Sequence, residues 1–83
     1  MGRINIKGAA LAFGISWGLI VMSAGWLAIT GWGAAIVDVF ASLYIGYSAS
    51  FLGGVIGFIW GFVDGAIFGA LVAAIYNIVV TKK

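Results

Sequence analysis

The stretch FLGGVIGFIWGFVDGAIFGALVAAIYNIVV, residues 51–80, decides the fold class of this chain. It is apolar except for Asp64 and Asn77, and as a helix it extends about 45 Å. The hydrocarbon layer of a bilayer is about 30 Å thick, so this helix is long enough to cross it with tilt or with a protruding end. Ser48 or Ser50 is placed to cap its first turn. The stretch therefore predicts a membrane-spanning helix.

A second apolar stretch, which carries no charge, precedes it at residues 8–30. It is longer than the apolar region of a signal peptide, usually 7–15 residues, which favours a permanent span. Residues 31–50 contain Asp38, serines and several aromatic residues. They fit either a short helix on the membrane surface or an apolar connector folded against the spans. We therefore predict an all-α membrane protein, with a two-helix transmembrane hairpin and an outer interfacial loop at 31–50 in a single membrane domain.

The composition excludes an ordinary soluble domain. Of 83 residues 65% are hydrophobic and 7% charged, whereas about a quarter of a soluble domain is charged. Because the chain has no His or Cys, we expect no enzyme, no catalytic residue, no cofactor and no metal site. Its cations, Arg3, Lys7, Lys82 and Lys83, are too few and too scattered for nucleic-acid binding. They flank the two spans, which predicts that both termini are cytoplasmic and that the protein lies in the inner membrane.

Five glycines spaced by four residues form a ladder in the second span. They are Gly53, Gly57, Gly61, Gly65 and Gly69. Small residues let helix backbones approach closely, which provides much of the packing energy between helices in lipid. Gly14 and Gly18 are their counterparts in the first span, so the ladder fits packing within one hairpin. Because small residues occupy more than one face, we also expect a homo-oligomer, with a dimer and a larger ring both open.

Asp64 is the candidate functional residue because it falls near the bilayer midplane. An ionised Asp there costs on the order of 2.5–3.5 kcal/mol on insertion scales. It could be protonated and bonded to a neighbouring helix through Ser16, Ser23 or Trp17. It could instead line a water-filled lumen, or bind and release a proton or a sodium ion. Trp60 lies on the same helix face, which favours a packed or gating position.

Several short segments together resemble a family of small two-span membrane proteins that are labelled as bacteriophage holins. These segments are INIK at 4–7, WG at 17–18, LYIGYS at 43–48, WGFVDG at 60–65 and IYN at 75–77. The resemblance covers nearly the whole chain, and WGFVDG is its most specific part. It implies a hairpin with cytoplasmic termini that oligomerises and permeabilises the inner membrane. By the same resemblance Trp60, Gly61, Asp64 and Gly65 are the positions that carry function.

We therefore expect a phage-related, holin-like oligomer that forms a pore or permeabilises the membrane. Its partners would be the lipid bilayer and further copies of the chain. One alternative is a non-conducting scaffold or a small accessory subunit of a larger membrane complex. Another is an ion-translocating ring, since a hairpin with a carboxylate in its second span is similar in organisation to the ring subunit of rotary ATP synthases.

Overall fold

The computed structural model describes residues 3–82, without the side chain of Lys82. Its two long helices are α1, Ile6–Leu27, and α3, Phe51–Lys82. Between them lie a 3₁₀ turn, Ala28–Thr30, and the short helix α2, Ala34–Ala41. All regular structure in residues 3–82 is helical, which confirms the predicted all-α class.

Helices α1 and α3 lie side by side and antiparallel in a body 49 Å long. Both are long and apolar enough to cross a membrane, so together they are compatible with a membrane hairpin. The association of copies stays a prediction.

Short polar side chains set the starts of the two long helices. The side chain of Asn5 accepts a 2.8 Å hydrogen bond from the backbone N–H of Gly8, so α1 begins at Ile6 rather than at residue 8. The hydroxyl of Ser50 accepts a 2.9 Å bond from the backbone N–H of Gly53. This cap starts α3 at the expected residue, and the helix then continues to Lys82.

The last three glycines of the ladder, Gly61, Gly65 and Gly69, lie in the contact between α3 and α1. A Cβ placed on Gly61 would lie 2.9 Å from the Cα of Gly18, and one on Gly65 would lie 2.9 Å from the Cα of Gly14. A Cβ on Gly69 would meet the backbone of α1 in the same way. The two backbones therefore touch where the glycines lie, and a side chain there would push the helices apart.

The connector, residues 31–50, folds back along the hairpin instead of lying across its end. The ring of Phe40 lies 6.0 Å from that of Trp17, centroid to centroid. Trp17 is ten residues before the end of α1, which is about 15 Å along the helix axis. The chain then turns near Gly46, whose φ of +92° is the left-handed conformation that favours glycine, and returns to start α3. The connector is therefore folded against the two long helices and is not a helix on the membrane surface, the other arrangement that the sequence allowed.

The buried core lies under this connector. It consists of side chains from α1, the 3₁₀ turn, α2 and the loop that follows, with Trp17, Phe40 and Trp60 packed against it. Its members are Val21, Ala28, Val37, Tyr44 and Tyr47. The connector is therefore part of the packed unit and brings its own side chains to the middle of α3.

Candidate functional site

The carboxylate of Asp64 is hydrogen-bonded to the connector. The phenol of Tyr44 donates to Asp64 Oδ2 over 2.5 Å, and the indole Nε1–H of Trp17 donates to the Tyr44 oxygen over 3.3 Å. Three elements, α1, the connector and α3, thus meet in one polar chain. Tyr44 is thus the donor to an Asp64 oxygen and the acceptor for Trp17.

Trp60 holds the connector in the position from which Tyr44 reaches Asp64. Its ring is stacked on that of Tyr44, with centroids 5.6 Å apart and planes within 3°. Its indole N–H donates a 2.9 Å hydrogen bond to the carbonyl oxygen of Ile45. Tyr47 adds a third anchor, because its phenol donates over 2.7 Å to the carbonyl oxygen of Val21 in α1. The aromatic residues of the connector and of α3 thus fix the orientation of the Tyr44 phenol.

An open groove of about 610 Å³ lies beside this polar chain, between α1 and α3. Asp64 contributes the charge in its lining and Ser16 a hydroxyl, while the other side chains that line it are apolar or aromatic. The full lining is Phe13, Ser16, Trp17, Ile20, Asp64, Gly65 and Phe68. Asp64 is an exposed residue of the single chain, so its carboxylate faces this groove as well as Tyr44.

The two serines expected near Asp64 are separated. Ser16 lines the groove with Asp64, whereas Ser23 lines a different one with Trp32 near the loop end of the hairpin. Trp17 reaches Asp64 only through Tyr44. The structure therefore brings Trp60, Asp64 and Ser16 to one place and leaves Ser23 outside it.

The glycines expected to mediate helix packing lie on the side of α3 that packs against α1 and the connector. Gly53 packs on Ser48, and Gly57 on Tyr47 and Val21, while the rest of the ladder faces α1. All five are buried, as are Gly14 and Gly18. The close contacts that could have joined separate copies are thus made inside one hairpin.

Two contacts in the structure are not apparent from the sequence. The Tyr44 bond to Asp64 depends on the connector folding back by about 15 Å, and only the aromatic character of LYIGY at 43–47 hinted at a buried segment. The second contact is made by Asn77, which is buried. Its side-chain oxygen accepts from the backbone N–H of Ile4 over 2.7 Å, and its amide donates to the Ile4 carbonyl over 2.9 Å. This pair of bonds clamps the start of the chain to α3.

Among residues 3–82 there is no group of three or more acidic, His or Cys side chains that could hold a metal ion. What the site offers is one carboxylate, one phenol that donates to it, and an apolar groove. Such a site can hold a proton or pair with a cation. Comparison with protein-family models, with curated proteins and with solved structures finds no significant match for this chain.

Proposed function

We propose that this chain is an integral protein of the inner membrane that assembles into a homo-oligomer and permeabilises that membrane, as its resemblance to holins implies. The observation that supports this most is the exposed position of Asp64 on the flank of an apolar hairpin. Within residues 3–82 its hydrogen-bond partner is Tyr44. A carboxylate that faces lipid is unfavourable, so water or a second copy must cover the rest of it.

The connector supports insertion into a bilayer. At its innermost turn the apolar side chains of Leu43 and Ile45 are 66% and 80% exposed, where a soluble protein would present polar groups. Several backbone groups of this turn are bonded internally. The N–H groups of Leu43 and Tyr44 donate to the Phe40 carbonyl over 2.9 and 2.7 Å, and the Ile45 carbonyl accepts from Trp60. Non-helical backbone at membrane depth requires hydrogen-bond partners within the protein.

The charges of the chain support the orientation. Arg3 and Lys7 lie at the start of α1, and Lys82 and Lys83 close the sequence at the end of α3, whereas residues 31–50 contain no Lys or Arg. Basic residues stay on the cytoplasmic side of a bacterial membrane. Both termini would therefore be cytoplasmic and the connector would enter the membrane from the outer side.

Assembly would use the faces that the ladder does not occupy. Because α1 already covers the ladder, copies would meet through the exposed apolar side chains of both long helices. In such an assembly the Asp64 groove would lie along a wet path between copies, since a carboxylate favours water and cations. The path would be gated by Tyr44, which donates to Asp64, and by Trp60, which stacks on Tyr44.

Release from sealed vesicles tests the proposal. The purified full-length chain is reconstituted into lipid vesicles that contain a small self-quenched dye, and its mass is measured in mild detergent. We expect dye release that rises steeply with protein concentration, an oligomeric mass, and weaker release for Asp64→Asn at an unchanged mass. Asp38→Asn is the matched control, since Asp38 is exposed on α2 and lies outside the groove. Vesicles that stay sealed at high protein-to-lipid ratio would contradict permeabilisation.

A second candidate, a non-conducting scaffold or accessory subunit, is favoured by one observation. The ladder, the connector and the aromatic cluster are all packed within a single chain, so the hairpin has a core without further copies. This candidate predicts a small mass in detergent, sealed vesicles, and an Asp64→Asn variant that behaves as the parent.

A further inference from the structure

We propose that the groove beside Asp64 binds a lipophilic organic cation, a molecule with an aromatic or aliphatic body and a charge on a phosphonium or substituted ammonium centre. The volume of about 610 Å³ lies within the range of about 300–1,000 Å³ that small-molecule sites occupy. Such sites are mostly apolar with a few placed polar groups, which describes this lining. The inference does not depend on permeabilisation, because the groove is formed by a single hairpin.

The walls of the groove suit a cation with an apolar body. Phe13 and Phe68 both line it and pack edge to face on each other, with ring centroids 5.6 Å apart, and Trp17 adds an indole. Phe13 and Phe68 are both exposed, so their rings are accessible from the side. The faces of aromatic rings attract cations, Trp most strongly, and this attraction grows when the site is desolvated.

The basic side chains in the described part of the chain, Arg3 and Lys7, lie away from the charge of the groove. Lys7 is nine residues before Ser16 on α1, about 13.5 Å along the axis, and Arg3 is further. Tyr44 donates to Oδ2 of Asp64, which leaves most of the carboxylate's acceptor capacity facing the groove. An organic cation would complement that charge.

A small inorganic cation fits this groove less well. Ca²⁺ takes six to eight oxygen ligands and Mg²⁺ an octahedral shell. The side chains that line the groove provide only the Asp64 carboxylate and the Ser16 hydroxyl as oxygen donors. A weakly hydrated organic cation needs no such shell and gains from the aromatic walls. The groove therefore favours the organic ion.

Equilibrium dialysis with radiolabelled tetraphenylphosphonium tests the proposal on the purified full-length chain in mild detergent. We expect saturable binding of one ion per hairpin, displaced by unlabelled tetraphenylphosphonium and not by triphenylphosphine oxide, its uncharged analogue. Asp64→Asn should weaken binding on the order of tenfold or more, since it removes the charge and keeps the shape. Asp38→Asn is the matched control and should bind as the parent does.

Two further variants decide the outcome if Asp64→Asn loses its helical circular dichroism. Phe68→Ala removes an exposed aromatic wall and should weaken binding several-fold, while Ser16→Leu fills the groove and should abolish it. The proposal is overturned if the parent does not bind the cation, for whatever reason, including that a second copy covers the groove. It is also overturned if the uncharged analogue competes equally, or if folded variants of the groove bind the cation as the parent does. Because the readout is binding and not leakage, its failure is distinct from failure of permeabilisation.

Discussion

Tyr44 donates a 2.5 Å hydrogen bond to Asp64, and this contact joins the connector to the middle of α3. The two residues are 20 positions apart, and Asp64 is 13 residues into α3, about 20 Å from its start. The connector must therefore descend along the hairpin for the bond to form. Asp64 thus has a structural partner within its own chain as well as an open side toward the groove.

Replacing Tyr44 with Phe should destabilise the packed connector. The variant keeps the ring that stacks on Trp60 but loses the donor to Asp64 and the acceptor for Trp17. A hydrogen bond to a charged group contributes about 1.5–3 kcal/mol. We expect a decrease of that size in the free energy of unfolding, measured by denaturant titration in detergent. Tyr76→Phe, a half-buried phenol elsewhere on α3, should change stability little. Equal stability of Tyr44→Phe and the parent would refute the role of the bond.

Substitution of a ladder glycine should separate the two long helices. In Gly61→Ala the new Cβ would lie 2.9 Å from the Cα of Gly18, a backbone atom that cannot rotate away. Overpacking of this kind costs about 1–3 kcal/mol, and we expect stability to fall accordingly in the same titration. Gly8→Ala is the control, because a Cβ there would lie 3.6 Å from Asn5 Oδ1 and alanine favours helix. It should leave stability unchanged or raise it. A Gly61→Ala variant as stable as the parent would show that α1 and α3 are further apart.

The re-entrant position of the connector can be tested by labelling. The chain has no cysteine, so the label reacts only with a cysteine introduced at a chosen position. In vesicles, Ile45→Cys at the innermost turn should resist a membrane-impermeant maleimide, whereas Trp32→Cys near the loop end should react. Both side chains are highly exposed in the single chain, so a difference reports depth and not packing. Equal, rapid labelling of both would place the connector in water.

Removal of the Asn77 side chain should free the start of the chain. Asn77 both accepts from and donates to the backbone of Ile4, so Asn77→Ala leaves that N–H without its acceptor. A hydrogen bond contributes about 1 kcal/mol, which corresponds to several-fold faster exchange of the Ile4 amide with deuterium. Thr81→Ala, an exposed polar residue at the same end of α3, should leave that rate unchanged. If both variants exchange alike, the clamp does not form.

The long helices were predictable because the length, hydropathy and capping residues of each are local features of the sequence. Apolar stretches longer than the bilayer is thick define helices, and Asn5 and Ser50 cap them as their residue types predict. The course of the connector was not predictable in this way. Its residues are apolar on several faces, so hydrophobic periodicity does not distinguish a surface helix from one packed against the spans.

The sequence by itself determined that this chain is helical, apolar and built from two long helices, because length, hydropathy and glycine spacing are encoded residue by residue. It also marked Asp64 as the one charge in the middle of a long apolar helix. Only the tertiary structure decided what surrounds that charge. The ladder is covered by α1 and the connector, Tyr44 reaches Asp64 from the connector, and an aromatic groove opens beside them. These contacts join residues distant in sequence, and they depend on how the elements pack together rather than on any local pattern.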